Sequence, residues 1–105
     1  MPESRRTVLE VVHVDEQTRF TLVQLSEACR ADTALLVDLV DEGVLEPIGE
    51  GPDSWVFGGD ALGRALTALR IGRDLGLDAT AMALVLDLLD EIRVLKARLR
   101  HAGVR

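Results

Sequence analysis

Residues 31–63 contain no lysine and no arginine, although they carry eight acidic side chains. Basic side chains that contact phosphate supply most of the non-specific affinity for DNA, so this absence argues against nucleic acid as the partner of the segment. The net charge of −6 for the whole chain also disfavours anionic membrane surfaces. The eight residues, called here the acidic run, are Asp32, Asp38, Asp41, Glu42, Glu46, Glu50, Asp53 and Asp60.

Cysteine and aromatic residues are scarce as well. Cys29 is the single cysteine, which excludes a disulfide framework and predicts a reducing, cytoplasmic location. Phe20, Trp55 and Phe57 are the only aromatic residues, too few for a platform on which nucleic-acid bases stack. No apolar run approaches the roughly 20 residues of a membrane span, and residues 1–10 lack the apolar core of a secretory signal. We therefore expect no membrane association.

Residue patterns of catalysis and of metal binding are also missing. His13 and His101 stand far apart, and neither lies at a metal-ligand spacing from a cysteine. Nothing in the sequence suggests an activating base for Cys29, so we interpret it as a small core residue. The glycines of residues 49–59 lack the strand-to-helix context of a nucleotide-binding loop. The sequence predicts a protein that is not an enzyme and needs no cofactor or metal.

The residues that are present predict one mainly α-helical domain spanning all 105 positions. β-branched side chains in residues 7–15 predict a short N-terminal strand. Thr21 and Gln24 match a capping box, and Phe20 with Leu25 matches a hydrophobic staple, so a first helix begins here.

A second helix follows after a turn of about three residues. Asp32 or Thr33 caps it, and we expect it to run to Glu42 because Gly43 suits the position after a helix end. Two short helices joined in this way, in residues 20–43, indicate a helix-turn-helix. Its buried side comprises Leu36, Leu39 and Val40, and its exposed side comprises Asp38, Asp41 and Glu42, with Val37 near them.

Residues 44–58 predict a β-hairpin wing. The segment 44–47 leaves the helix in extended form, residues 49–53 are rich in turn formers, and residues 54–57 return as a strand. We expect Trp55 and Phe57 to anchor the hairpin to the helices. A second interpretation makes Trp55 part of a contact surface, because partly exposed tryptophans are frequent hot spots of binding.

Two further helices complete the domain. Asp60 is expected to cap a helix of residues 60–75, which Gly76 ends. Leu77 and Met82 form a second staple at the start of a helix of residues 78–100. The arginines expected on the outer sides of the first of these helices are Arg64, Arg70 and Arg73.

The last helix combines two patterns. Residues 82–89 are apolar almost all round, which predicts burial on more than one side. Ile92, Leu95 and Leu99 continue at the a,d spacing of a helix seam, which indicates a possible homodimer over too few heptads for a coiled-coil prediction. Residues 64–105 hold eight basic and five acidic side chains, so the charge is reversed relative to the acidic run.

The order strand, helix-turn-helix, wing, helix and long C-terminal helix resembles the MerR-type winged-helix layout. Within that group, four stretches are similar to the chaperone-modulator family known as CbpM, and the resemblance extends from Phe20 to Leu99. It implies a mainly α, MerR-like winged helix-turn-helix with a small β-sheet, made by the N-terminal strand and the wing hairpin. The four stretches are FTLVQLSEAC (20–29), VLEP (44–47), SWVF (54–57) and ALRIGRDLGLDATAMALVLDLLDEI (68–92).

The resemblance further implies a cytoplasmic bacterial protein that binds the J-domain of a DnaJ-like co-chaperone of the CbpA type. Members of the family inhibit that co-chaperone's stimulation of Hsp70 and its DNA binding. J-domains present a basic helix to Hsp70, so an acidic competitor is physically reasonable. Compared with DNA-binding MerR relatives, Val37 and Val56 stand where those proteins carry arginines that face phosphate. We expect the partner surface to comprise Val37, Asp38, Asp41, Glu42, Glu46 and Trp55.

A MerR-like transcriptional regulator is the alternative interpretation. It requires a dimer that contacts DNA through basic side chains outside the acidic run. Sequence-selective binding to genomic fragments at low salt would favour it over a chaperone modulator. The candidate DNA contacts are Arg64, Arg70 and Arg73, or the N-terminal Arg5 and Arg6.

Overall fold

A computed structural model describes residues 18–103 of the chain. The strand predicted for residues 7–15, and the arginines Arg5 and Arg6, lie outside the described residues. The elements confirm a mainly helical, winged helix-turn-helix fold with a small antiparallel sheet. They are β1 (Arg19–Thr21), α1 (Leu22–Cys29), α2 (Thr33–Asp41), β2 (Val56–Gly58), α3 (Gly59–Leu75) and α4 (Ala79–His101).

The start of α1 has the predicted capping box. The Thr21 hydroxyl accepts from the Gln24 backbone N–H at 3.1 Å, and the Gln24 side-chain oxygen accepts from the Thr21 N–H at 2.9 Å. Phe20 and Leu25, the predicted staple, are both buried. Two of the first orphan N–H groups of the helix are thus satisfied, which fixes where α1 begins.

Other helix ends match the predictions less closely. Helix α2 ends at Asp41, one residue before the predicted Glu42, and Gly43 follows with a φ of 82°. The prediction that Asp60 caps the next helix is wrong, because Gly58 is the N-cap and α3 begins at Gly59. Asp60 lies in the first turn of α3, where a carboxylate stabilises the positive end of the helix dipole.

The sheet differs from the predicted wing hairpin. β1 pairs antiparallel with β2, and Phe20 lies opposite Phe57. The returning strand meets the outgoing wing segment at one residue pair, where Ile48 and Val56 exchange two backbone hydrogen bonds of 2.9 Å. Residues 44–47 form no strand, because Val44 and Leu45 turn into the core and donate their N–H groups to the Leu39 carbonyl.

The core lies between the helix-turn-helix, β2 and the two long helices. Its largest fully buried side chains are Phe57, Leu25, Leu36, Leu39 and Leu45. Helix α4 packs against α2 and α3 through its N-terminal half. The prediction that residues 82–89 are buried on more than one side is wrong for this single chain, since Leu84 and Leu88 are 60% and 53% exposed.

Candidate partner-binding surface

Five carboxylates of the acidic run are exposed on α2 and the wing. The Asp38 and Asp41 carboxylates project from α2, and Glu46, Glu50 and Asp53 project from the wing. Within residues 18–103, none of these five carboxylates has a basic partner. An acidic surface without internal counter-charges is suited to a basic partner, because its potential is not cancelled locally.

Glu42 differs from the other predicted partner residues. Its carboxylate accepts a hydrogen bond from the Thr80 hydroxyl at 2.8 Å, and this bond joins the end of α2 to the first turn of α4. The position is favourable for a carboxylate because the N-terminal end of a helix carries partial positive charge. Glu42 therefore has a structural partner, which the sequence did not reveal because Thr80 lies 38 residues away.

The two apolar residues predicted at the surface are only half accessible. Val37 is half-buried on α2, and Trp55 is half-buried against the core. The Trp55 and Phe57 rings meet edge to face, with centroids 6.1 Å apart and planes at 81°. Such an aromatic pair stabilises packing beyond its buried area, so the geometry agrees with the expected role of Trp55 as an anchor of the wing.

The most exposed apolar side chain of the wing is one that sequence reasoning missed. Ile48 is 77% exposed, and Val56, directly across the two-bond bridge from it, is 36% exposed. Side chains of directly opposed residues stand about 4.5–5.5 Å apart on one face of a sheet, so the two form one apolar patch, with Glu46 and Glu50 as sequence neighbours. The available signal was an isolated isoleucine between Pro47 and Gly49, inside a segment of turn residues.

The sequence predicted Arg64 on an outer side of α3, but in the structure its guanidinium is bonded to other parts of the fold. Its Nε donates to the Val44 carbonyl at 2.7 Å, and its Nη2 donates to the Asp90 carboxylate of α4 at 3.2 Å. Asp90 also pairs with Arg93 at 3.1 Å. Arg70 and Arg73 are exposed, as predicted. Of the three arginines considered as DNA contacts, Arg64 is therefore already engaged within the fold.

The predicted seam of α4 is exposed along its length. Ile92, Leu95 and Leu99 all reach solvent, and Leu88 extends the row toward the N-terminal half. A row of large apolar side chains exposed on one helix is unusual unless the helix contacts a partner. The exposure of this row of side chains is compatible with a role in association with another helix.

Reactive and metal-binding groups are not evident near this surface. Cys29 is buried, and burial raises the pKa of its thiol to about 11, with the Arg73 charge acting in the opposite direction. At neutral pH it is therefore a thiol and not the nucleophilic thiolate. Across residues 18–103 no group of His, Cys, Asp and Glu is placed to hold a metal ion. Nor does any helix in this part of the chain have the length and apolarity to cross a membrane.

Comparison with known proteins agrees with the fold. Residues 7–102 match the model of the MerR HTH family regulatory proteins. The chain is 30% identical to the chaperone modulatory protein CbpM of Coxiella burnetii over 95 residues, which cover 90% of each chain. It is 26% identical to CbpM of a Pseudomonas putida strain over 87 residues, or 83% of this chain and 80% of that relative. With CbpM of Pseudomonas entomophila the identity is 32% over 62 residues, or 59% of this chain and 61% of the relative. The chain belongs to the CbpM family of chaperone modulatory proteins, within the MerR helix-turn-helix group.

Proposed function

We propose that the protein binds the J-domain of a DnaJ-like, CbpA-type co-chaperone and inhibits both its stimulation of Hsp70 and its DNA binding. The relatives are named as chaperone modulatory proteins. The observation that carries the proposal is the set of exposed carboxylates on α2 and the wing that have no basic partner within residues 18–103, together with the exposed Ile48 and Val56 of the wing. A basic amphipathic helix, which the family resemblance implies on the J-domain, has the complementary chemistry.

The two parts of the surface have different tasks. Exposed carboxylates such as Asp38 and Asp41 raise the association rate by attracting a basic partner, and salt screens this effect. Ile48 and Val56 supply the apolar centre from which water is expelled, and buried apolar contacts hold the complex together. A J-domain covered in this way has its basic helix occupied, so Hsp70 cannot use it.

Two observations support a protein partner rather than DNA. The resemblance to DNA-binding MerR proteins implies phosphate-facing arginines at the positions that Val37 and Val56 occupy here, and the exposed carboxylates of α2 and the wing repel phosphate. Arg64, one of the three arginines considered for DNA, is engaged with Val44 and Asp90. Tight, sequence-selective shifts of genomic fragments at low salt would contradict this preference.

Calorimetric titration of a purified CbpA-type J-domain tests the proposal. Asp38→Lys/Asp41→Lys should weaken J-domain binding at least tenfold, because it reverses two charges of the docking surface. Glu27→Lys/Asp74→Lys makes the same charge change at exposed positions of α1 and α3 and should leave binding within about threefold. Wild-type protein should also suppress J-domain stimulation of Hsp70 ATPase activity. Absence of wild-type binding would reject the function, whereas equal loss in both variants would reject the surface.

We also propose that α4 forms a homodimer seam through Ile92, Leu95 and Leu99. In an antiparallel pair, the acidic part of one α4 lies beside the basic part of the other. The acidic part holds Asp87 and Glu91, and the basic part holds Lys96, Arg98 and Arg100, whereas Asp90 and Arg93 are already paired within the chain.

Light scattering after size-exclusion chromatography tests the dimer. The wild type should have twice the mass of one chain, and Leu95→Glu should shift it to the monomer, because it places a charge in the seam. Leu75→Glu, at an exposed leucine outside the seam, should leave the mass unchanged. A wild type that is monomeric at high concentration would reject the seam.

A further inference from the structure

A cleft of about 340 Å³ lies on the helix-turn-helix, where the α1–α2 turn faces the junction of α3 and α4. Its volume is at the lower end of the roughly 300–1,000 Å³ that small-molecule pockets occupy. Leu35, Leu69 and Met82 contribute apolar side chains to its lining, and Arg30, Asp32 and Arg73 contribute charged ones. Apart from Asp32, these residues do not belong to the acidic run.

Arg30 adopts a backbone conformation that its residue type disfavours. Its φ of 55° and ψ of 47° are left-handed, and within residues 18–103 it is the non-glycine residue with a positive φ. The left-handed residues after α2 and α3 are glycines, Gly43 and Gly76, as expected from crowding of a β-carbon there. Local folding therefore favours glycine at position 30, and the arginine side chain calls for another explanation.

Arg73 adds a second cation to the same cleft. Arg73 lines the cleft together with Arg30, and its charge lowers the pKa of the Cys29 thiol against the larger, opposing effect of burial. Neither Arg30 nor Arg73 has a carboxylate partner within residues 18–103. The cleft also contains Asp32, whose side chain makes no capping hydrogen bond. The cleft thus combines two unpaired cations, one free acceptor and an apolar lining.

We propose that this cleft binds the C-terminal residue of a peptide that ends in an apolar side chain. Arg30 and Arg73 bind the terminal carboxylate, because guanidinium groups match the two oxygens of a carboxylate. Asp32 accepts a hydrogen bond from the last backbone N–H, and the apolar side chain packs against Leu35, Leu69 and Met82. A polyphosphate or nucleic acid suits the cleft less well, because the apolar lining formed by Leu35, Leu69 and Met82 offers it no partner.

Amide chemical shifts of the ¹⁵N-labelled full chain test the proposal with two small probes. N-acetyl-leucine should shift the amides of Ala31, Gly72 and Leu77, which line the cleft. N-acetyl-leucinamide has the same side chain without the carboxylate and should bind at least tenfold more weakly. N-acetyl-glutamyl-leucinamide carries its carboxylate on a side chain. Should it match N-acetyl-leucine, the cleft would accept internal acidic segments, which would overturn the assignment to a chain terminus.

Variants separate binding from folding. Arg30→Gly should weaken N-acetyl-leucine binding at least fivefold and at the same time raise the melting temperature, because glycine relieves the left-handed strain. Arg73→Gln should weaken binding similarly. Arg98→Gln, at an exposed arginine of α4 outside the cleft, should leave affinity unchanged. The proposal is overturned by equal binding of acid and amide, by no shifts with either probe, or by full affinity in Arg30→Gly.

Discussion

Arg64 and Asp90 form an ion pair of 3.2 Å between α3 and α4, and the same guanidinium donates to the Val44 carbonyl at 2.7 Å. The Arg64 side chain therefore connects Val44, the first residue of the wing, to both α3 and α4. Val44 is buried, so its carbonyl has little access to water as a substitute partner. The guanidinium is partly exposed, which limits the stabilisation from the ion pair itself.

Arg64→Ala should lower the free energy of unfolding by about 2 kcal/mol, mainly through loss of a charged hydrogen bond to a buried carbonyl. Urea denaturation followed by circular dichroism measures the change. Arg70→Ala removes an exposed arginine of the same helix and should change stability by less than about 0.5 kcal/mol. Equal effects of the two substitutions would mean that the Val44 contact does not stabilise the fold.

Gly72 and Gly63 form a matched pair on α3. A β-carbon at Gly72 would lie 2.5 Å from the Met82 terminal methyl, whereas one at Gly63 would meet nothing within 4 Å. Gly72→Ala makes the buried Met82 side chain shift, and this cost offsets the gain in helix propensity, so the variant should be less stable than Gly63→Ala by about 1 kcal/mol. Gly63→Ala should stabilise the protein by about 0.5–1 kcal/mol, because alanine favours a helix interior. Thermal melts compare the two variants, and equal stabilisation would contradict the close packing of α3 on α4.

The buried thiol of Cys29 should make the free energy of unfolding fall as the pH rises into the alkaline range. Burial raises the pKa of its thiol from 9.0 to about 11, with Arg73 opposing. The unfolded chain loses this proton first as pH rises. The thiol therefore contributes its full stabilisation to the folded protein below pH 9.0, and this stabilisation is lost as the pH rises from 9.0 to about 11. The loss amounts to roughly 2–3 kcal/mol.

Urea midpoints measured in steps from neutral pH to about pH 11 detect this loss. Cys29→Ala removes the titrating thiol, so the difference between variant and wild type isolates its contribution to stability from that of every other group. Parallel curves for the two proteins would show that the native thiol titrates at its ordinary value.

A substitution in the apolar patch of the wing should change the affinity for the J-domain without changing the stability of the fold. Ile48→Ser should weaken J-domain binding about tenfold, equivalent to about 1.4 kcal/mol, because it removes the apolar centre of the surface. Stability should change by less than about 0.5 kcal/mol, since Ile48 is 77% exposed. Leu75→Ser, at a leucine that is 66% exposed on α3, serves as the control. Unchanged affinity in Ile48→Ser, with the wild type binding normally, would mean that docking occurs elsewhere.

Local signals in the sequence predicted the helices well. The capping box of Thr21 with Gln24 and the left-handed Gly76 depend on residues within one turn, and both lie where expected. Asp78 also caps α4 as its staple indicated, with its carboxylate accepting from the Ala81 N–H at 2.9 Å. Cys29 is a buried core residue for the same reason, since it shares a helix face with Leu25.

Contacts between distant segments were not predictable from the sequence alone. Arg64 and Glu42 carry charges that periodicity assigns to solvent, yet their partners lie 20, 26 and 38 residues away. The predicted hairpin is reduced to one antiparallel residue pair, Ile48 with Val56, for a related reason. Val44 and Leu45 follow the helix end into the core instead of extending as a strand. The partner surface predicted from the sequence included exposed carboxylates such as Asp38 and Asp41 and did not include Ile48, whose exposure only the structure revealed.

The single residue pair between Ile48 and Val56 has a consequence for motion. The two backbone hydrogen bonds of this pair close the loop between Ile48 and Val56, and such a closure opens at far lower free energy than a core that must unfold as a whole. The amide protons of Ile48 and Val56 should exchange with solvent long before those of buried α3. Such a loop can change its outline while α2 and the core keep theirs, so the wing can adapt its shape to a bound partner at little energetic cost.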